Sequence, residues 1–132
     1  MENRSVDLQK KLGIKPGQEA FTLYAPSGYA LLLPQPIALE SINDINQPID
    51  WLQVFYVDKS LLEKEIDLIK KCLKTNAQLW ISWPKKTSKV ISNLSDNDVR
   101  QIGLDVGLVD VKVASIDDTW SALEFVYHLR DR

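Results

Sequence analysis

This 132-residue chain has a single cysteine and a single histidine, and each scarcity removes a class of chemistry. Cys72 has no partner for an internal disulfide and falls among the apolar positions of an expected helix, which fits a reducing interior and an unreactive core thiol. His128 stands near the end of the chain with no serine or cysteine nucleophile in a familiar motif beside it, so no triad is expected. One histidine and one cysteine far apart make no zinc site, and the scattered carboxylates make no calcium loop; no metal is expected. No apolar run approaches the roughly 20 residues that span a bilayer. The opening Met1-Glu2-Asn3-Arg4-Ser5 has no apolar signal core, so a cytoplasmic protein without a membrane partner is expected. Charge of one sign is also missing: the net charge is -2 with 26% charged residues, which argues against nucleic acid as a partner and makes any anion site a local one. Repeats, low-complexity tracts and long linkers are absent. A length of 132 residues with 45% hydrophobic content suits one domain over 1–132 with a single core.

What is present is a legible order of elements. Gln78-Leu79-Trp80-Ile81-Ser82-Trp83 is apolar on both faces before it empties into Pro84 and Lys85-Lys86-Thr87-Ser88-Lys89. Such a strand belongs inside a helix-covered sheet, and the proline and lysines mark where it emerges. Trp51–Val57 reads the same way, as a central parallel strand. Ser60 and Glu63 form a capping-box pattern for a helix to about Lys74, with Leu62, Ile66, Ile69 and Leu73 on one side and Lys70, Lys71 and Lys74 at its negative end. Ser95 and Asp98 supply a second box, Leu94 and Val99 a hydrophobic staple, and Gly107 a stop. Val109, Val111 and Val113 alternate with Asp110, Lys112 and Ala114, the pattern of a half-buried strand. After the turn Asp117-Asp118-Thr119, residues 120–129 form a last strand with Leu123, Phe125 and Tyr127 on one face.

The first half is less regular. Val6–Leu12 predicts a short helix burying Leu8 and Leu12, stopped by Gly13, and Lys15-Pro16-Gly17-Gln18 a turn. Glu19–Tyr24 predicts a first strand, ended by the turn Ala25-Pro26-Ser27-Gly28. Tyr29–Leu33 is too short for a full crossover helix before Pro34 and Pro36, and Ile37–Leu39 suits a short edge strand. Right-handed crossovers make the central strands parallel and the closing hairpin antiparallel. The fold class expected is α/β, a truncated Rossmann or methyltransferase-like three-layer sandwich, with a mostly parallel sheet and an antiparallel C-terminal hairpin.

The segments Lys10–Gly17, Ala25–Tyr29, Leu79–Lys86, Gly107–Val113 and Asp118–Phe125 together resemble a bacterial domain-of-unknown-function family, number three thousand and fifty-two, from about Leu8 onward. The resemblance implies a cut-down class I methyltransferase and no defined activity. Such methyltransferases cradle S-adenosylmethionine in a glycine-rich loop after the first strand and hold its ribose with an acidic residue after the second. At the corresponding place this chain has Ala25-Pro26-Ser27-Gly28, with one glycine and a proline that removes an amide donor. Glu40 follows Gly28 by about a dozen residues, where the related dinucleotide fingerprint expects roughly 20. Loss of ordinary cofactor binding, and hence no cofactor, is the expectation.

Open α/β sheets place ligands at the strand C-termini. That edge gathers Ser27, Gly28, Asp58, Lys85, Lys86, Thr87, Ser88, Asp117, Asp118 and Trp120 as candidate ligand-binding residues, with no catalytic residue assigned. Lys85 and Lys86 with the Thr87 and Ser88 hydroxyls suit a phosphate or carboxylate, against the plainer reading that they are solvated or pair with Asp117 and Asp118. Trp51, Trp80, Trp83 and Trp120 read as packing residues rather than a stacking platform. Three functions stay open: a non-catalytic domain acting on a protein partner or a small anionic ligand, a diverged enzyme with Asp58 as base and Lys85 or Lys86 as anion stabiliser, and a structural homodimer that buries an edge strand. The deciding question is whether the carboxyl-edge crevice is open or plugged by Tyr29 and Trp120.

Overall fold

The computed structural model describes residues 4–132; residues 1–3, part of the Met1–Ser5 segment, lie outside it. Its helices are α1 (Arg4–Lys11), α2 (Tyr29–Leu32), α3 (Lys59–Cys72) and α4 (Asp96–Asp105). Its strands are β1 (Ala20–Leu23), β2 (Ile37–Leu39), β3 (Ile49–Phe55), β4 (Leu73–Pro84), β5 (Leu108–Ser115) and β6 (Trp120–Tyr127). They form one six-stranded sheet in the order β2-β1-β3-β4-β6-β5. The first four of those positions run parallel, and β6 inserts antiparallel between β4 and β5, as the closing hairpin pattern predicts. The sheet reverses its winding between β1 and β3, so helices cover both faces.

Strand alternation sends Leu52, Val54, Leu79, Ile81, Leu123 and Phe125 to one face, where Leu62, Ile66 and Ile69 of α3 and Val99 and Ile102 of α4 pack on them. The opposite face presents Trp51, Phe55, Trp80, Trp120 and Ala122 to Leu8 of α1 and Leu12 just past its end, and to Tyr29 and Leu33 at α2. All four tryptophans are therefore buried packing residues, as expected. The tryptophan face is held by polar contacts as well as by area. The indole Nε1 of Trp51 and that of Trp80 both donate to the Leu12 carbonyl at 2.9 Å, satisfying a terminal helix acceptor inside the core.

Several boundaries differ from expectation. The cap of α3 is Asp58, whose carboxylate accepts from the Ser60 amide, in place of the Ser60/Glu63 box; the helix starts one residue before Ser60. Leu73 is not its last apolar position but the first residue of β4, paired with Ile49 before a register irregularity leads to Trp51 opposite Gln78. The expected Gln78–Trp83 strand is thus the inner half of a 12-residue one. On β5 the valine alternation is misleading. Leu108 and Ala114 are buried, whereas Val111 and Val113 are 53% and 58% exposed, because β5 is an edge strand and its register shifts between Asp110 and Val113. The last strand ends at Tyr127, and Leu129 begins a 3-10 turn, Leu129–Asp131, in which it is exposed. Cys72 is half-buried rather than enclosed, with burial raising its thiol pKa. The Ser95/Asp98 box is present in full, and the first crossover is the single turn of α2.

Gly103 in α4 lies against the Phe125 ring, where a methyl group would collide. Gly103→Ala is therefore expected to destabilise by about 2–3 kcal/mol in urea unfolding, despite alanine's better helix propensity, and the added Phe125→Leu change should recover part of the loss. A second expectation concerns the shared acceptor at Leu12. Either indole alone still satisfies it, so the double change Trp51→Phe/Trp80→Phe should cost about 1 kcal/mol more than the two single changes summed, measured as a double-mutant cycle.

Candidate functional site

The carboxyl ends of β1 and β3 flank the point where the winding reverses, and the segment leaving β1 decides whether a ligand has room there. The chain exits β1 through Tyr24, whose φ of 60° is left-handed, a conformation that costs a bulky residue energy. That turn directs Tyr24 to the α3 side. Its hydroxyl donates to Glu65 Oε1 and Oε2 (2.9 and 3.1 Å), and the Tyr56 hydroxyl donates to the same Oε1 at 2.7 Å. The two rings meet edge to face at 5.5 Å. Gly28, at φ 83°, caps the single turn of α2 and swings the next residue to the other face.

That residue is Tyr29, only 3% exposed. Its hydroxyl donates to Gln53 Oε1 at 2.6 Å, and Gln53 Nε2 donates to Ser82 Oγ at 3.0 Å. The Tyr29 ring packs edge to face on Phe55 at 4.9 Å, and Phe55 does the same on Trp120 at 5.1 Å. Burial first, with the Asp117 carboxylate adding to it, holds the Tyr29 phenol far above its ordinary pKa. Burial and then the Glu65 contact do the same for Tyr56. Both phenols stay neutral hydrogen-bond donors at ordinary pH. Tyr29 and Trp120, joined through Phe55 on one face, and Tyr24 and Tyr56 on the other thus form an aromatic plug beside the β1–β3 reversal.

The remaining expected site residues separate into three places. Lys85, Ser88, Asp117 and Trp120 gather where β4 meets the β5–β6 turn. The Lys85 amide donates to the Thr119 carbonyl at 2.7 Å and its Nζ to Ser115 Oγ at 2.6 Å. Asp117 Oδ1 accepts the Thr119 and Trp120 amides, both at 2.8 Å, and so shapes the turn. Ser88 directs its amide and hydroxyl at the Lys85 carbonyl, while Lys86 and Thr87 are solvent-exposed. The expected anion cluster is therefore broken up: of its two hydroxyls, that of Ser88 is committed to its own turn. Nor do its lysines pair with Asp117 or Asp118; the ion pairs among the described residues are Lys59–Asp98, Lys74–Asp50, Arg100–Asp110 and Arg130–Asp131.

Asp58 stands apart as the cap of α3. It accepts from the Ser60 hydroxyl and amide, and those bonds lower its pKa, which makes it a weak base. Ser27 and Gly28 are exposed on the turn, but the four residues of α2 give that turn no extended helix behind it. His128 is exposed and its Nδ1 accepts from the Arg130 amide. Among the described residues no three ligating side chains converge as a metal site, and no helix is long and apolar enough to cross a membrane.

The polar residues that hold the plug in place belong to no motif. The available signal was Gln53 and Ser82, polar positions inside the apolar runs Trp51–Val57 and Gln78–Trp83, whose side chains meet across adjacent parallel strands. A cavity of about 370 Å³ also opens beside the β5–β6 turn, between Leu8 and Lys11 of α1, Leu32 of α2, and Ile116.

No protein-family model and no curated protein matches the chain. Solved structures do match. A SAM-dependent methyltransferase from Aquifex aeolicus is similar with a TM-score of 0.68 at 16% identity, over 92% of this chain and 88% of that one. The magnesium protoporphyrin IX methyltransferase from Synechocystis with bound SAM is similar with a TM-score of 0.65 at 14% identity, over 94% and 76%. Against the same enzyme with bound SAH, the TM-score is 0.53 at 15% identity, and the match covers 71% of this chain and 52%, about half, of that one. At these identities the likeness is one of architecture: the chain has the methyltransferase-like Rossmann fold.

Proposed function

We propose that this chain is a non-catalytic methyltransferase-like domain that acts through binding. The reading rests on the crevice at the β1–β3 reversal being filled by Tyr29, buried to 3% exposure and bonded to Gln53. S-adenosylmethionine, the group that the fold implies, does not fit the residues present. A cofactor cradle needs bare main chain after the first strand and a helix terminus behind it. Here Tyr24 and Tyr29 take the space on either face, and the helix after β1 is a single turn. Membership of the domain-of-unknown-function family that the sequence resembles is part of the same proposal.

The enzyme alternative is weaker because its base, Asp58, is a helix cap of lowered pKa, and Lys85 is hydrogen-bonded to Ser115. The edge-strand dimer is weaker because β2 has three residues and β5 carries a register irregularity that interrupts its outer row of donors and acceptors. Calorimetric titration with S-adenosylmethionine and S-adenosylhomocysteine is expected to give no heat of binding up to about 1 mM; dissociation constants in the micromolar range would overturn the proposal.

A further inference from the structure

The cavity beside the β5–β6 turn has a composition that selects for one kind of ligand. Its volume of about 370 Å³ falls at the small end of the roughly 300–1,000 Å³ of small-molecule sites. The floor is apolar: Leu8 is buried in the tryptophan-face core, and Leu32 and Ile116 pack against that core from α2 and from the end of β5. The rim is charged with both signs. Lys11 of α1 stands on one side, and Asp7, Asp117 and Asp118 complete the wall.

These charges do not neutralise one another. The Lys11 ammonium is held by a neutral acceptor, the Ser115 carbonyl at 2.6 Å, and the Lys85 ammonium reaches the hydroxyl of the same Ser115, also at 2.6 Å. Two cationic heads thus converge on Ser115, the chain neighbour of the cavity-lining Ile116. Among the described residues, neither Asp7 nor Asp118 has an ion-pair partner. A simple anion entering here meets three carboxylates, and a simple cation meets the Lys11 ammonium, so each sign is opposed by part of the rim. A molecule carrying both charges on one small apolar body uses every wall.

We propose that this cavity binds a small zwitterion with an apolar side chain, of the free amino acid class. Its carboxylate lies toward Lys11 and Lys85, its ammonium toward Asp7 and Asp118, and its side chain on Leu8, Leu32 and Ile116. The proposal rests on the reading that the domain acts through binding, and it names the ligand class at a site separate from the plugged crevice. The mixed rim also replaces the anion expected from the lysine segment: of that segment only Lys85 comes near, through Ser115, and the aspartates of the rim require the second charge.

Titration calorimetry with L-leucine and L-phenylalanine as probes tests it, with L-leucinamide and N-acetyl-L-leucine as the forms lacking one charge. Saturable binding of at least one amino acid is expected in the millimolar range or tighter, with both charge-deleted forms at least about tenfold weaker. Asp118→Asn and Lys11→Gln, two substitutions at exposed positions, should each weaken amino acid binding to a similar degree while the unfolding temperature stays within a few degrees. No amino acid binding at about 10 mM, or equal binding of leucine and its charge-deleted forms, overturns the proposal. Its failure is separable from failure of the plugged-crevice reading, whose mark is S-adenosylmethionine binding that Asp118→Asn leaves unchanged.

Discussion

Two indole N–H groups on one carbonyl hold the tryptophan side of this molecule together. A helix end leaves acceptors without partners, and burying one is costly unless something donates to it. Trp51 and Trp80, side by side on β3 and β4, both donate to Leu12 and so fix where α1 ends on the sheet. The position of α1 sets the next contacts. Gly13 turns at φ 75°, a left-handed conformation that favours glycine, beside the Gln78 amide, and Lys11 reaches Ser115. The same helix supplies Asp7, Leu8 and Lys11 to the cavity wall.

The same face is one side of a methyltransferase-like sheet. Strand order and crossovers need only the apolar faces and the caps, and these are intact. The crevice is a by-product of reversed winding, and side chains fill it wherever they lower the cost of exposed apolar surface. Gln53 and Ser82 carry polar groups into the buried strands, and Tyr29 completes their hydrogen bonding. No buried polar side-chain atom among the described residues lacks a partner, so the plug is satisfied as a network.

Much of the fold was legible because it depends on local rules. Continuous apolar strands, the Ser95/Asp98 box and the short hairpin at Asp117 each specify geometry within a few residues. The errors arose where tertiary context decides. The Ser60/Glu63 pattern competes with Asp58, and the aspartate wins because its carboxylate reaches the Ser60 amide. Val111 and Val113 alternate as core residues do, but an edge position leaves them nothing to pack on. The site was legible as a region and not as a set of contacts. Lys85 and Asp117 do share an edge, yet the partners they take, Ser115 and the backbone of Thr119 and Trp120, come from strand order that spacing does not encode. Glu65, which joins two tyrosines 41 and 9 residues away, carries no local signature at all.

The irregular stretch of β5 between Asp110 and Val113 has an outcome for behaviour in a crowded solution. A straight outermost strand with two outward valines is a template on which further chains add, one after another, toward fibres. Here the two ladder segments, Leu108–Asp110 and Val113–Ser115, fall out of step, so an incoming chain cannot stay in register with both. The kink thus disfavours the addition of a further strand at this border of the sheet.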